Sequence, residues 1–132
     1  MDVKLFVEAG MVQIILPYKE SQTEQPLHIK ANVDVEIGVS SIVARRRANG
    51  YLAMEVAMMI VAGDPILFLS DRPVWRVPAL LHLSGLGDVA NVGMVEIDAT
   101  SGEVIKLSEQ QITEMQNLAD AIATRLTSSA TA

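Results

Sequence analysis

The chain has 132 residues, 50% of them hydrophobic and 20% charged, which fits one folded domain and excludes a disordered, solvating segment. Its 10 Lys and Arg stand against 16 Asp and Glu, a formal charge of −6, which argues against a broad nucleic-acid surface because phosphate neutralisation needs clustered positive charge. There is no cysteine, so disulfides, thiolate catalysis and thiolate metal sites are excluded.

Val3, Leu5 and Val7 alternate with Lys4 and Glu8, and Val12, Ile14 and Leu16 continue the pattern after Gly10. Two short strands around a turn at Ala9 and Gly10 follow from that spacing. Lys4, Glu8, Gln13 and Lys19 interrupt the opening residues, leaving no apolar run of the kind a secretory signal needs. Residues 18–26 are the most polar stretch and predict a loop. In residues 27–37, Leu27, Ile29, Ala31, Val33, Val35 and Ile37 alternate with His28, Lys30, Asn32, Asp34 and Glu36, which predicts a strand with one buried face.

Ser40 and Ser41 stand where a helix N-cap belongs, and residues 42–62 predict one long helix. Gly63, Asp64 and Pro65 would end it. Gly50 in its middle implies a kink or a close packing partner. Residues 51–69 are strongly apolar, but Glu55, Gly63, Asp64 and Pro65 break a run that must reach about 20 residues to cross a bilayer. No membrane span is expected, and the expected location is cytoplasmic.

Residues 65–70 predict a short strand, and 71–73 a tight turn. Residues 74–83 alternate again, with Trp75, Val77, Ala79, Leu81 and Leu83 on one face. Pro78 cannot donate to a ladder, so this strand is expected at an edge or with a bulge. Residues 89–97 form a further strand divided at Gly93, and 98–102 a hairpin turn into 103–107. Ser108 and Gln111 have the spacing of a capping box. Ile112, Met115, Ala119, Ile122 and Leu126 then mark the apolar seam of a C-terminal helix. The fold class expected is α+β: an antiparallel sheet with one long helix packed on it and a C-terminal helix. Residues 1–127 would form a single domain and 128–132 a disordered tail.

The segment from Gly93 to Val104, with Asp98 followed by Ala99, Thr100, Ser101, Gly102 and Glu103, resembles the terminal hairpin of PepSY-type domains. Ser101 lengthens the turn by one residue relative to that pattern. The resemblance covers about a tenth of the chain and implies a helix on an antiparallel sheet. PepSY domains are mostly exported or membrane-linked, which this chain's own residues do not suggest.

Chemistry-bearing residues are sparse. His28 and His82 have neither an adjacent nucleophile nor ligand spacing, and read as solvated or core histidines. Gly85-Leu86-Gly87 is a turn with no helix after it, so it cannot cradle a phosphate. No catalytic residue, metal site or cofactor is expected. Glu55 is the one carboxylate in apolar surroundings, and an arginine partner is the simplest fate for it.

Arg45, Arg46 and Arg47 advance by about 100° each around a helix, so they cannot all face one way. They also oppose the positive end of the helix dipole. Partners are expected at Glu8, Asp34 or Glu36, or on an acidic second protein. Trp75 reads as a core residue and, beside Arg76, as a candidate contact. The helix over 42–62 is apolar nearly all round, which calls for a second covering surface. The function expected is therefore a non-enzymatic, cytoplasmic interaction or regulatory protein, working as a homo-oligomer or with a protein partner. Its contacts would come from that helix, the 74–83 strand and the 112–126 seam, with Arg45, Arg46, Arg47, Trp75 and Arg76 as binding residues. The alternative is a small-ligand module with a pocket between helix and sheet near Trp75, Tyr51 and Arg76.

Overall fold

A computed structural model describes Asp2–Val7, Gly10–Ile15 and residues 34–130. In chain order the elements are strands β1 (Asp2–Val7) and β2 (Gly10–Ile15), helix α1 (Ser41–Glu55), and strands β3 (Ile60–Ala62) and β4 (Ile66–Leu69). Strands β5 (Pro73–Leu83), β6 (Gly87–Asp98) and β7 (Val104–Ile105) follow, and helix α2 (Glu109–Ala130) closes the sequence of elements. The sheet runs β1-β2-β4-β5-β6-β7, with β3 also pairing β5. Every pair is antiparallel except β2 with β4, whose long connection carries α1. The architecture is α+β, as the patterning predicts.

The 74–83 alternation sets up the core. Trp75, Val77, Ala79 and Leu81 of β5 are buried, and Ile97 and Val95 of β6 stand directly opposite Trp75 and Val77. Both helices cover this face, α1 through Ala44, Ala48 and Leu52 and α2 through Met115 and Ala119. Two alanines on α1 let the helix sit close to the sheet. Each large residue fully buried here contributes about 1.5–3 kcal/mol of apolar transfer; Leu52, Ile60, Leu81 and Ile97 are among them.

Helix α1 begins as expected, with Ser40 Oγ accepting from Val43 N–H at 3.2 Å. It ends at Glu55, well short of Ala62. Val56, Ile60 and Val61 form a short apolar, β-branched run, which periodicity cannot assign to helix or strand. The sheet decides: Ile60–Ala62 pairs with Ala79–Leu81 as β3. Gly63 therefore leaves a strand rather than capping a helix, donating to the Pro78 carbonyl at 2.8 Å. Gly50 neither kinks α1 nor admits a close neighbour, since a β-carbon there would meet nothing within 4 Å.

The predicted 27–37 strand lies outside the described residues up to residue 33. Its remainder, 34–37, is exposed and forms no strand. Alternation needs a partner ladder, and here the chain instead meets the hairpin turn. Gly38 and Val39 both donate to the Ala99 carbonyl, at 2.8 and 3.1 Å, and Thr100 Oγ1 donates to Glu36 O at 3.3 Å. The predicted polar loop over 18–26 also lies outside the described residues.

Strand β5 is central, not an edge. Pro78 is tolerated because its carbonyl, and so its nitrogen, faces the gap between the stretches paired to β4 and to β3. The register shifts at the next step, between Ala79 and Leu80. Strand β6 runs through Gly93 unbroken; a β-carbon there would lie 2.9 Å from the Met115 side chain. The Asp98 turn forms as expected: Oδ1 accepts from the N–H groups of Thr100 and Ser101, both at 2.9 Å. These backbone donors, Ser101 first and Thr100 next, hold the Asp98 carboxyl below the ordinary aspartate range.

The capping box of α2 is reciprocal, Ser108 N–H donating to Gln111 Oε1 at 2.8 Å and Gln111 N–H to Ser108 Oγ at 3.1 Å. The apolar seam packs on the protein's own sheet, with Met115 and Ala119 buried and Ile112 and Ile122 against the same core. Helix α2 continues to Ala130, into the stretch read as a tail.

Candidate functional site

The three arginines diverge, as consecutive helical residues must. Arg45 Nε donates to the Ala62 carbonyl at 3.2 Å, and its Nη1 reaches Asp64 Oδ1 at 2.9 Å. Arg47 Nη1 donates to the Gly102 carbonyl at 2.7 Å, tying α1 to the hairpin turn. Arg46 is exposed and has no hydrogen bond or ion pair among the described residues. The expected partners Asp34 and Glu36 are not used, and Glu8 lies outside the described residues. Asp64 and two backbone carbonyls stand in their place.

Trp75 and Arg76 do not form one surface. Adjacent strand residues point to opposite faces, so Trp75 enters the core, 4% exposed, with its indole N–H on Val39 O at 3.0 Å. Arg76 lies on the other face, 3.4 Å above the Phe68 ring and 3.5 Å from Glu96. The expected pocket near Trp75, Tyr51 and Arg76 is therefore corrected: the two ends of that set are separated by the sheet. The Tyr51 hydroxyl instead accepts from Leu107 N–H at 2.9 Å, joining α1 to the start of α2. Glu55 is exposed in the last turn of α1, without the apolar enclosure the sequence suggested.

A groove of about 640 Å³ opens at the sheet's edge, between α1, β3 and the turn joining β5 to β6. Ile42, Arg45, Arg46 and Asn49 of α1 form one wall, with Val61 and Ala62 beside them and His82 and Asp88 opposite. Asn49 Oδ1 accepts from Ala62 N–H at 2.9 Å, so Arg45 and Asn49, one helical turn apart, together satisfy both backbone groups of Ala62 on the outer edge of β3. His82 Nδ1 and Asp88 Oδ1 are 2.8 Å apart, and both side chains are half exposed.

His82 is exposed, one of the two fates its sequence context allows, but its pairing with Asp88 is not legible from spacing. Five residues separate the two, and their alignment depends on a second register shift, between Leu81 and His82. Elsewhere, Phe68, Arg72, Val74, Glu96 and Ile105 line a smaller depression of about 390 Å³. Among the described residues no three His, Asp or Glu side chains could hold a metal ion, and no helix is long and apolar enough to cross a membrane.

No family model, curated protein or solved structure matches the chain.

Proposed function

We propose that this is a non-enzymatic interaction protein that works in the cytoplasm as a homodimer, through the C-terminal end of α1. The observation that carries the reading is the exposure of Met54 (84%), Met58 (82%) and Met59 (39%) at one end of that helix and the turn after it. Methionine is flexible and polarisable and suits a surface that must fit another. Exposed large apolar side chains grouped in this way are characteristic of association sites. An apolar patch is complementary to itself, whereas a charged one repels its copy, so a second copy of this chain is the occupant chosen. The seam of α2 and the core face of β5 take no part, being buried within the protomer. Of the arginine cluster only Arg46 retains an unengaged guanidinium among the described residues, so the cluster is not the contact.

Sedimentation equilibrium tests the reading. The intact chain should give a dimer mass that dissociates on dilution, and the Met54→Ser/Met58→Ser variant should associate at least about tenfold more weakly while keeping its circular dichroism. A wild-type chain that remains monomeric at every concentration would sink the proposal.

A further inference from the structure

The groove beside α1 has features that dimerisation does not use. The carboxylate in its described lining, Asp88, is engaged by His82, and Arg45 on its wall is engaged by Asp64. Arg46 is left as an uncompensated cation on the wall, with no partner among the described residues. Helix α1 has no acidic residue in its first turn, so nothing on the helix offsets this positive charge near its N-terminal end. Arg45 is held in place by Ala62 O and Asp64, and Asn49 by Ala62 N–H, which leaves the Asn49 amide nitrogen as a donor. His82 is fixed through Nδ1, leaving Nε2 as the ring atom for a ligand. Ile42 and Val61 supply apolar wall between these groups.

We infer that this groove binds a small organic anion, a phosphate or carboxylate group joined to an apolar portion. The anionic group meets Arg46, with the prearranged Arg45 and Asn49 as supporting donors. The apolar portion lies against Ile42 and Val61. At about 640 Å³ the groove has the size of a small-molecule site and exceeds what a bare inorganic ion fills. A basic, partly apolar cleft with fixed donors is also the arrangement that limits the ordering cost of binding.

Titration of the full chain with phenyl phosphate, benzoate and inorganic phosphate, followed by backbone amide chemical shifts, tests the inference. Saturable shifts are expected at Arg46, Asn49, Val61, His82 and Asp88. Loss of one contact to a charged group should weaken binding by about tenfold or more in Arg46→Gln. Lys106→Gln, which removes the same charge from an exposed position elsewhere, should bind as the wild type does. Tighter binding of phenyl phosphate than benzoate assigns a phosphate ligand, and the reverse assigns a carboxylate. The inference is overturned if no probe gives saturable shifts, if the shifts map away from the groove, or if both variants weaken equally. Inorganic phosphate binding as tightly as either aromatic probe would overturn the apolar half of the site.

Discussion

Asn49 acts as a strand neighbour for Ala62: its Oδ1 accepts the Ala62 N–H at 2.9 Å, on the side of β3 that has no ladder. Arg45 completes the pairing by donating to the Ala62 carbonyl. An open strand edge invites pairing with other chains, and here two side chains from one helix close it. Asn49→Ala should leave the buried Ala62 N–H unsatisfied and cost about 1–3 kcal/mol. Asn49→Asp keeps an acceptor beside Arg45 and should recover most of that loss. Urea unfolding of the two variants is the check, and equal destabilisation by both would mean that the acceptor is not what matters.

Two glycines should respond oppositely to the same substitution. Gly50 is exposed within α1, with open space where a β-carbon would go, so Gly50→Ala should stabilise the protein by about 1 kcal/mol through helix propensity. At Gly93 the β-carbon would press on the buried Met115 side chain from 2.9 Å, forcing α2 or the methionine to shift. Overpacking of that kind costs about 1–3 kcal/mol. Thermal melts should move up for Gly50→Ala and down for Gly93→Ala.

The contrast between these glycines shows where the sequence was legible. Caps, turns and period-two strands depend on residues close in sequence, and Ser40, Ser108, the Asp98 turn and the Trp75 face could all be read directly. The end of helix α1 is not legible because Ile60 and Val61 suit helix and strand alike, and only the distant Leu80 and Leu81 settle the choice. The irregular chain over 34–37 follows the same logic, since alternation without a neighbouring strand is not enough. Of the five residues the sequence offers as contacts, Arg45 and Arg46 do line the groove, while Arg47, Trp75 and Arg76 do not. His82, Asp88 and Asn49 join them only through the β5–β6 register and the docking of α1.

Trp75 should behave as a reporter of folding rather than of ligands. Its ring is buried and its N–H is taken by Val39 O, so its emission should be blue-shifted and poorly quenched by iodide in the native state. Anions entering the α1 groove should leave the emission unchanged. Trp75→Phe removes the indole N–H from the Val39 carbonyl and should cost about 1 kcal/mol through that bond, besides the change in packed volume. A strong iodide effect on the native protein would contradict the packing described.

Asp98 should make stability depend on pH in the acid range. Its carboxylate accepts from Ser101 and Thr100 N–H groups, with Arg72 at 3.8 Å as a weaker influence, and its pKa is lowered in the folded chain. A lowered folded pKa means that the unfolded chain takes up the proton first. The stabilisation is therefore complete above the ordinary aspartate value of about 3.9 and is lost as pH falls below it and through the folded value. Asp98→Asn retains an acceptor but not the charge, so it should be less stable than the wild type at neutral pH. The gap between the two should narrow on acidification, as the wild-type carboxylate is protonated and loses its charge-assisted bonds. Urea midpoints at neutral pH and near pH 3 give the comparison, and a gap that stays constant would show that the turn does not depend on the ionised form.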